Sequence, residues 1–429
     1  MEEKEVKKRT TNRRDFLKVA GVTAASLAVT GLAKSKTYAV ASPRVIGAND
    51  RINVGFIGVG GQGTHHVNIL RSRSNEFNAQ PIAICDVWEK RLTALKNALQ
   101  LPDSQVYKDY RRLLENKDID AVLIATPEHW HYQQTMDALE AGKHVYLEKP
   151  MTRYLDEALK IYRKVKETGL VFQVGSQGCS DAKWHKAGEL VKAGAIGKVV
   201  WCQGSYCRNN PNGEWNYRID PDLKEDNVDW NAWLGPAPKV PFSPERYFRW
   251  RKYWDYSAGI LSDLFPHRLH PLMIAIGGGE FPTRVMCSGG QFLQHDRDVA
   301  DTTHVLADFP GGYTMLIAGS TINELGLQDI VRGHKANLFF GGAGVEIRPE
   351  RPYADEIEAR TEQVTGPRED IGEHQKNFLD CIRDRTKKPN CDVELATKTM
   401  VVVALAEMSY RQNKVMLFDP VKLEIINNK

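Results

Sequence analysis

The residues with the clearest chemical meaning lie between 52 and 86. Ile52, Val54, Phe56 and Ile57 form a short apolar run that leads directly into Gly58-x-Gly60-x-x-Gly63. A strand that feeds such a triplet and then a helix lets the backbone approach a pyrophosphate, whose charge rests against amide N–H groups at the helix N-terminus. A second apolar run, Pro81 to Cys85, ends in Asp86, 23 positions beyond Gly63, where a ribose-binding acid belongs. A carboxylate there accepts from the ribose hydroxyls and repels a 2′-phosphate, which favours NAD, while Arg91 keeps NADP open. On its own the glycine triplet is weak, because 34 glycines supply chance matches.

The elements around this turn support the reading. Leu92, Leu95 and Leu99 have helical spacing, Asp120 to Ala125 is a continuous apolar run before Thr126-Pro127, and His144 to Leu147 is another strand. Continuous apolar strands are those of a parallel sheet covered on both faces. Alternating strands and helices through Gly175 predict a doubly wound α/β Rossmann domain, with ligands outside the strand carboxyl ends, where Gly58, Asp86, Thr126 and Lys149 fall. Beyond it the pattern predicts a helix from Asp181 to Ala193, then strands. Thr303–Phe309 and Tyr313–Gly319 read as neighbours joined by Pro310-Gly-Gly312, and two helices start near Glu373 and Val393.

Gly58-x-Gly60-x-x-Gly63, Ala125-Thr126-Pro127 with His131, Glu148-Lys149-Pro150 and Asp263-x-x-x-His267 together resemble the Gfo/Idh/MocA family, the group of glucose-fructose oxidoreductase and inositol dehydrogenase. The resemblance covers nearly all of the chain after residue 41. It implies a Rossmann domain over 42–175 and, over 176–429, an α+β domain with a large open, mostly antiparallel sheet for substrate binding and oligomerisation. A homo-oligomer, dimer or tetramer, is the implied assembly. The motifs and the resemblance assign nucleotide contacts to Gly58, Gly60, Gly61, Gln62, Gly63, Asp86, Arg91, Thr126, Pro127, His131, Glu148, Lys149 and Gln177. Substrate contacts fall to Lys149, Trp250, Asp263, His267 and His270.

Hydride transfer from a secondary alcohol needs an acceptor for the hydroxyl proton and a rigid nicotinamide beside the carbon. If a helix starts at Ser262, Asp263 and His267 stand at i and i+4 on one face, with Pro266 tolerated in the first turn. His267 is then the proton acceptor, since an unperturbed imidazole titrates near neutral pH. Lys149 steadies the reacting oxygen, and Asp263 orients the alcohol or balances the imidazolium. His270 departs from the family, which often carries an acid there: it either shifts substrate choice or is idle. Asp263, His267 and His270 could in principle hold a metal, as could His129 and His131, but no third ligand cluster supports this and no metal is expected. Five tryptophans between Asn209 and Trp254 either stack on sugar C–H groups or pack beneath a long loop.

The chain has 429 residues, 42% hydrophobic and 26% charged, enough for two sizeable cores. Its net charge of +4 is misleading, because residues 1–41 contribute +5 and leave −1 for the rest, without the basic excess of a nucleic-acid binder. Within that leader Arg13-Arg14-Asp15-Phe16-Leu17 precedes a mild apolar run and Ala39-Val40-Ala41, resembling a twin-arginine export signal with a cleavage site. The run is short and broken by Thr23, Ser26 and Thr30, so no membrane span is expected in the mature form. Seven cysteines form no C-x-x-C pair; most should be buried thiols, and one disulfide remains possible.

An exported dehydrogenase does not meet soluble NAD, so the nucleotide is expected to stay bound and be reoxidised in place. Two enzymes satisfy this: a sugar or polyol oxidoreductase with retained cofactor, and an NAD-dependent glycoside hydrolase or lyase that works through a transient 3-keto sugar. A non-catalytic sensor that keeps the fold is a third reading, disfavoured by the presence of Lys149, Asp263 and His267.

Overall fold

The computed structural model describes residues 50–342 and 344–426. The leader expected over 1–41 lies outside the described residues. Six parallel strands form the first sheet: β1 (Ile52–Ile57), β2 (Ala79–Cys85), β3 (Val106–Tyr107), β4 (Ala121–Ile124), β5 (His144–Glu148) and β6 (Phe172–Gly175). Their order is β3-β2-β1-β4-β5-β6, so the direction of winding reverses between β1 and β4. A crevice opens at such a switch point, outside the strand carboxyl ends. Helices α1 (Gly61–Ser72), α2 (Glu89–Leu99), α3 (Glu128–Glu140) and α4 (Leu155–Thr168) connect the strands. Ile124, Val145, Leu147 and Val174 are fully buried, as strands covered on both faces require.

After α5 (Ala182–Lys192), β7 (Val199–Asn209) opens the second sheet. Its eleven strands run in the order β15 (Arg360–Gln363), β14 (Gly344–Pro349), β13 (Ala336–Gly341), β12 (Ile330–Gly333), β7, β10 (Tyr313–Ser320), β9 (Thr302–Phe309), β8 (Arg284–Gly290), β16 (Met416–Asp419) and β17 (Glu424–Ile426), with β11 (Ile322–Asn323) beside β7. The pair β10 and β7 is parallel, whereas β8, β9 and β12 pair antiparallel with their neighbours. The expected neighbours around Pro310 are β9 and β10, in register from Phe309↔Tyr313 to Thr302↔Ser320. Helices α8 (Ile371–Arg383) and α9 (Val393–Gln412) stand where two helices were predicted, each capped by an aspartate, Asp370 and Asp392, but two strands follow them rather than the chain ending there. Among the described residues no helix is long and apolar enough to cross a membrane.

Residues 210–259 are not a bare loop. They contain short helices at Trp230–Leu234, α6 (Pro244–Phe248) and Trp250–Lys252, and they build a third core from Leu223, Val228, Trp230, Trp233, Tyr247 and Tyr256 around Trp88 of the first domain. Four of the five tryptophans are structural. Trp230 and Trp233 stack at 4.7 Å, Trp215 is buried and hydrogen-bonded, and Trp254 packs on Tyr410 and Arg411. Trp250 and an edge of Trp233 line the crevice.

Candidate active site

At the end of β1 the chain turns through the glycines into α1. A methyl group on Gly63 would stand 1.9 Å from the Gly58 carbonyl, so only glycine lets the helix start this close to the strand. On the other side, a Cβ at Gly61 would meet nothing within 4 Å, leaving backbone amides open to the crevice. No side chain caps α1, so its first N–H groups and the positive end of its dipole are free for an anion. This cradle fits a pyrophosphate.

Asp86 follows β2 as expected, and its carboxylate is fixed by main-chain donors. Oδ2 accepts from Val59 N at 2.9 Å and Oδ1 from Trp88 N at 3.0 Å. The Arg91 guanidinium lies over Trp88 and Tyr247, at 5.4 and 5.1 Å from the ring centres, and 3.9 Å from Asp86. Arginine and acid thus share one end of the crevice.

At the neighbouring strand ends, Thr126 Oγ1 donates to Gln134, and His131 sits between the carbonyls of Thr126 (2.9 Å) and Pro150 (2.6 Å). Both ring nitrogens are engaged with main chain, so His131 ties the ends of β4 and β5 together. Glu148 is a buried carboxylate. Its Oε1 meets His66 Nε2 at 2.6 Å and accepts from Gln62 at 3.1 Å, while Oε2 accepts from the Lys149 amide. Despite its burial, His66 and Lys149 hold its pKa down to about 2. Glu148 therefore carries charge and fixes α1 against β5.

Lys149, Asp263 and His267 line one cavity of about 1280 Å3 together with Gly60, Gly61, Asp86, Thr126 and Gln177. Lys149 Nζ donates to Asp263 Oδ1 at 2.6 Å and to its carbonyl at 2.7 Å. The same carboxylate accepts from Arg251 Nε at 2.9 Å and Trp215 Nε1 at 3.1 Å. Two cations hold Asp263 far below the usual carboxylate range against the opposing effect of burial. An ammonium has three donors, so Lys149 keeps one for a substrate oxygen.

Three expectations are corrected here. The helix does not start at Ser262: α7 runs Pro266–Ala275 with proline at its first position, and Asp263 sits in a preceding π-helical turn, Ile260–Leu264. This wide turn aims Asp263 at Lys149. His267 is not poised near neutral pH, because burial and the Lys149 ammonium lower its pKa to about 3. It is a neutral imidazole beside Tyr206, with ring centres 5.3 Å apart. His270 is not a substrate residue: it is 1% exposed and points into the core. Its i+3 offset from His267 turns it off the cavity-facing side of α7.

Arg251 and Trp215 escaped sequence reasoning as partners of Asp263. Nothing in their spacing signals it, since they reach the site from the irregular segment between β7 and α7. Tyr206, Arg208 and Tyr217 were missed for the same reason, although Tyr206 and Arg208 stand on β7 beside the site.

The fold and the cradle define a dinucleotide-binding protein whose second domain brings Asp263 and His267 to the same cavity. Residues 52–176 match the model of the oxidoreductase family with NAD-binding Rossmann fold, and 210–429 match its C-terminal alpha/beta domain; the chain belongs to the Gfo/Idh/MocA oxidoreductase family, whose Rossmann domain binds NAD. A glycosyl hydrolase family 109 protein of Shewanella pealeana is 35% identical over 176 residues, 37% of each chain. Matches to this and the next two curated relatives span 37–53% of those proteins' own length. Among solved structures, the WlbA dehydrogenase of Bordetella pertussis, in complex with NADH and UDP-GlcNAcA, has a TM-score of 0.65 at 17% identity over 86% of this chain and 99% of its own. The aldose-aldose oxidoreductase of Caulobacter crescentus, complexed with glycerol, has a TM-score of 0.65 at 18% identity over 86% and 100%. These two likenesses speak to fold.

Proposed function

We propose that this protein is an exported NAD-dependent oxidoreductase that acts on a sugar, sugar derivative or polyol and keeps its nucleotide through turnover. The observation that carries the reading is the convergence of Lys149, Asp263 and His267 in the cavity that also holds the glycine cradle and Asp86. A bound nicotinamide supplies the hydride acceptor. Lys149 directs its remaining N–H at the hydroxyl oxygen and offsets negative charge as the C–H bond breaks. Asp263, held by Arg251 and Trp215, keeps that ammonium in place. His267 enters the step unprotonated and receives the hydroxyl proton at the imidazole. Because its proton affinity is low, transfer is late and depends on Lys149 stabilising the oxygen.

Retention is supported by the clasp at Asp86. Residues 220–229 grip the ends of β2 and α2: Asp229 N donates to Val87 O at 3.0 Å, and Lys90 donates to Asp220 and Asp222 at 2.7 and 2.6 Å. Trp88 is wedged edge-on against Tyr247 and Phe248, each at 6.0 Å. The export reading rests on Arg13, Arg14 and the residues after them. A homo-oligomer through the open face of the second sheet is supported by Met286, Leu306 and Val200, which stand 39–45% exposed on its strands.

A second reading, a glycosidase that oxidises and re-reduces one sugar, is favoured by the Shewanella pealeana relative. Adding candidate sugars to the purified protein tests both. Lasting reduction of bound nicotinamide, or reduction of a second carbonyl substrate, supports the oxidoreductase; glycoside cleavage with no net change of nicotinamide supports the other. Protein that binds no dinucleotide and turns over neither class of substrate overturns both.

A further inference from the structure

On α7, three residues after His267, His270 meets two cysteines in the interior. One ligand atom from each of Cys179, His270 and Cys391 lies within 4.8 Å of the others. Both cysteines are fully buried and His270 is 1% exposed. The three come from separate elements: the turn Gln177–Ser180 after β6, helix α7, and the segment before α9, whose Cys391 carbonyl accepts from Val174 N at 3.0 Å.

His270 is the unusual member. Neither ring nitrogen makes a hydrogen bond, and only the Pro266 carbonyl one turn back polarises the ring. The buried His374 and His131, by contrast, have partners on both nitrogens. A buried polar atom without a partner costs on the order of 1–3 kcal/mol, so an imidazole kept for packing alone would be a poor choice. One of these unpartnered ring nitrogens is the atom that lies within 4.8 Å of both sulfurs.

We propose that Cys179, His270 and Cys391 form a closed two-sulfur, one-nitrogen site for a soft d10 metal ion, Zn(II) or Cu(I). Thiolate and imidazole donors without a carboxylate select such ions over Mg(II) or Ca(II). With metal–ligand bonds of about 2.0–2.3 Å, bound ligand atoms stand roughly 3.5–4 Å apart, so the cluster needs to contract by at most about 1.3 Å. On binding, each thiol passes one proton to solvent and its sulfur forms a bond to the ion. Neither metal nor sulfur changes oxidation state, and two protons are released per ion. Zn(II) with two thiolates and a neutral imidazole has no net charge, which suits a dry interior. With no substrate access the site is a brace: it joins the turn bearing Gln177, the helix bearing His267 and the start of α9.

The test uses the full chain, purified without chelator, by native mass spectrometry and elemental analysis, followed by loading of stripped protein with Zn(II), Cu(I) or Co(II). One ion per chain is expected, with two protons released per Zn(II) and a thiolate-to-cobalt charge-transfer band for Co(II). The mass assigns which d10 ion the protein prefers. His270→Ala and Cys391→Ser should each lower occupancy at least tenfold, whereas Cys207→Ser should not. If those variants do not fold, proton release and the cobalt band of the unaltered chain still decide. No ion taken up, an ion retained by His270→Ala, or two of the seven thiols joined as a disulfide after denaturation overturns the site.

Discussion

The Lys149 ammonium lies 2.6 Å from the carboxylate and 2.7 Å from the main-chain carbonyl of Asp263, a residue 114 positions later in the chain and in the other domain. The pair is nearly enclosed, with 12% and 7% of the side chains exposed. A buried ion pair is a weak source of stability but a costly one to break. The two ends are unequal, however, because Asp263 also has Arg251 and Trp215.

Removal of the two partners should therefore differ. Lys149→Ala leaves Asp263 paired with Arg251, so it should fold, keep its nucleotide and lose about 10²- to 10⁴-fold in the rate of nicotinamide reduction. Asp263→Ala leaves Lys149 and Arg251 facing each other, and should cost about 3–5 kcal/mol of stability as well. Urea unfolding of both variants checks this; equal destabilisation would contradict the shared-carboxylate geometry.

His267→Ala should also bind nucleotide and fail to reduce it, and with Lys149→Ala in the double variant the loss should barely exceed that of the worse single change. The pH dependence separates this imidazole from an ordinary one. A group lowered to about 3 stays unprotonated down to that pH, so His267 should cause no fall in single-turnover rate between pH 7 and 5. An acid limb near pH 6.5 that vanishes in His267→Ala would show a histidine more basic than its surroundings here allow.

Glu128 gives a stability test with the opposite sign. It is fully buried, Oε1 accepts from Ser257 and Ser262 at 2.6 and 3.0 Å, and Oε2 has no partner and can carry a proton. Burial raises its pKa to about 7 from the ordinary 4.5. Between these values the folded chain holds a proton that the unfolded chain has released, so stability present below pH 4.5 is lost as pH rises through 7. The loss is about 3 kcal/mol at one pKa unit per 1.36 kcal/mol. Glu128→Gln should remove this part of the difference between pH 5 and pH 8 in denaturant unfolding. An unchanged difference would mean that Glu128 is ionised throughout.

What could be read from the chain divides along physical lines. Buried parallel strands announce themselves as apolar runs, so β1, β2, β4 and β5 were legible, but Val106–Tyr107 is a two-residue strand and too short to show a pattern. Gly63 is legible because only one residue type fits it. The partners of Asp263 are not, since Arg251 and Trp215 arrive through a fold-specific path rather than a local spacing. The π-helical turn at Asp263 hides for a related reason: it obeys no 3.6-residue periodicity. His270 shows the remaining limit, because spacing alone puts it on the helix of His267 but says nothing of which side meets the core.

Asp86→Ala tests nucleotide choice. The carboxylate would offer charge-assisted bonds to the ribose, each worth roughly 1.5–3 kcal/mol, and it also fixes the Val59 and Trp88 amides. NAD affinity should fall more than NADP affinity, because Arg91 remains 3.9 Å from the acid's position to meet a 2′-phosphate. Calorimetry on stripped protein measures both. Equal losses would show that Asp86 acts through the loop rather than by selecting the ribose.

The proposed retention of the nucleotide is testable at the clasp beside Asp86. Trp88 is 3% exposed in the third core and belongs to the first domain, while Tyr247 and Phe248, its edge-on neighbours, belong to the segment that crosses from the second. If the adenosine of a bound nucleotide lay behind this edge, its release would require those rings to part and the contacts of Lys90 with Asp220 and Asp222 to break. The exposed ion pairs are screened by solvent and contribute little, so the aromatic contact should dominate. Truncating a buried aromatic typically costs about 3–5 kcal/mol, and even 2 kcal/mol of that in the closed state would speed release roughly thirtyfold. Trp88→Ala should therefore lose bound nucleotide on gel filtration while Lys90→Ala retains it, and added NAD should restore activity to the tryptophan variant. Full occupancy in Trp88→Ala after extended dialysis would place the hold on the nucleotide elsewhere, at the glycine cradle and Asp86.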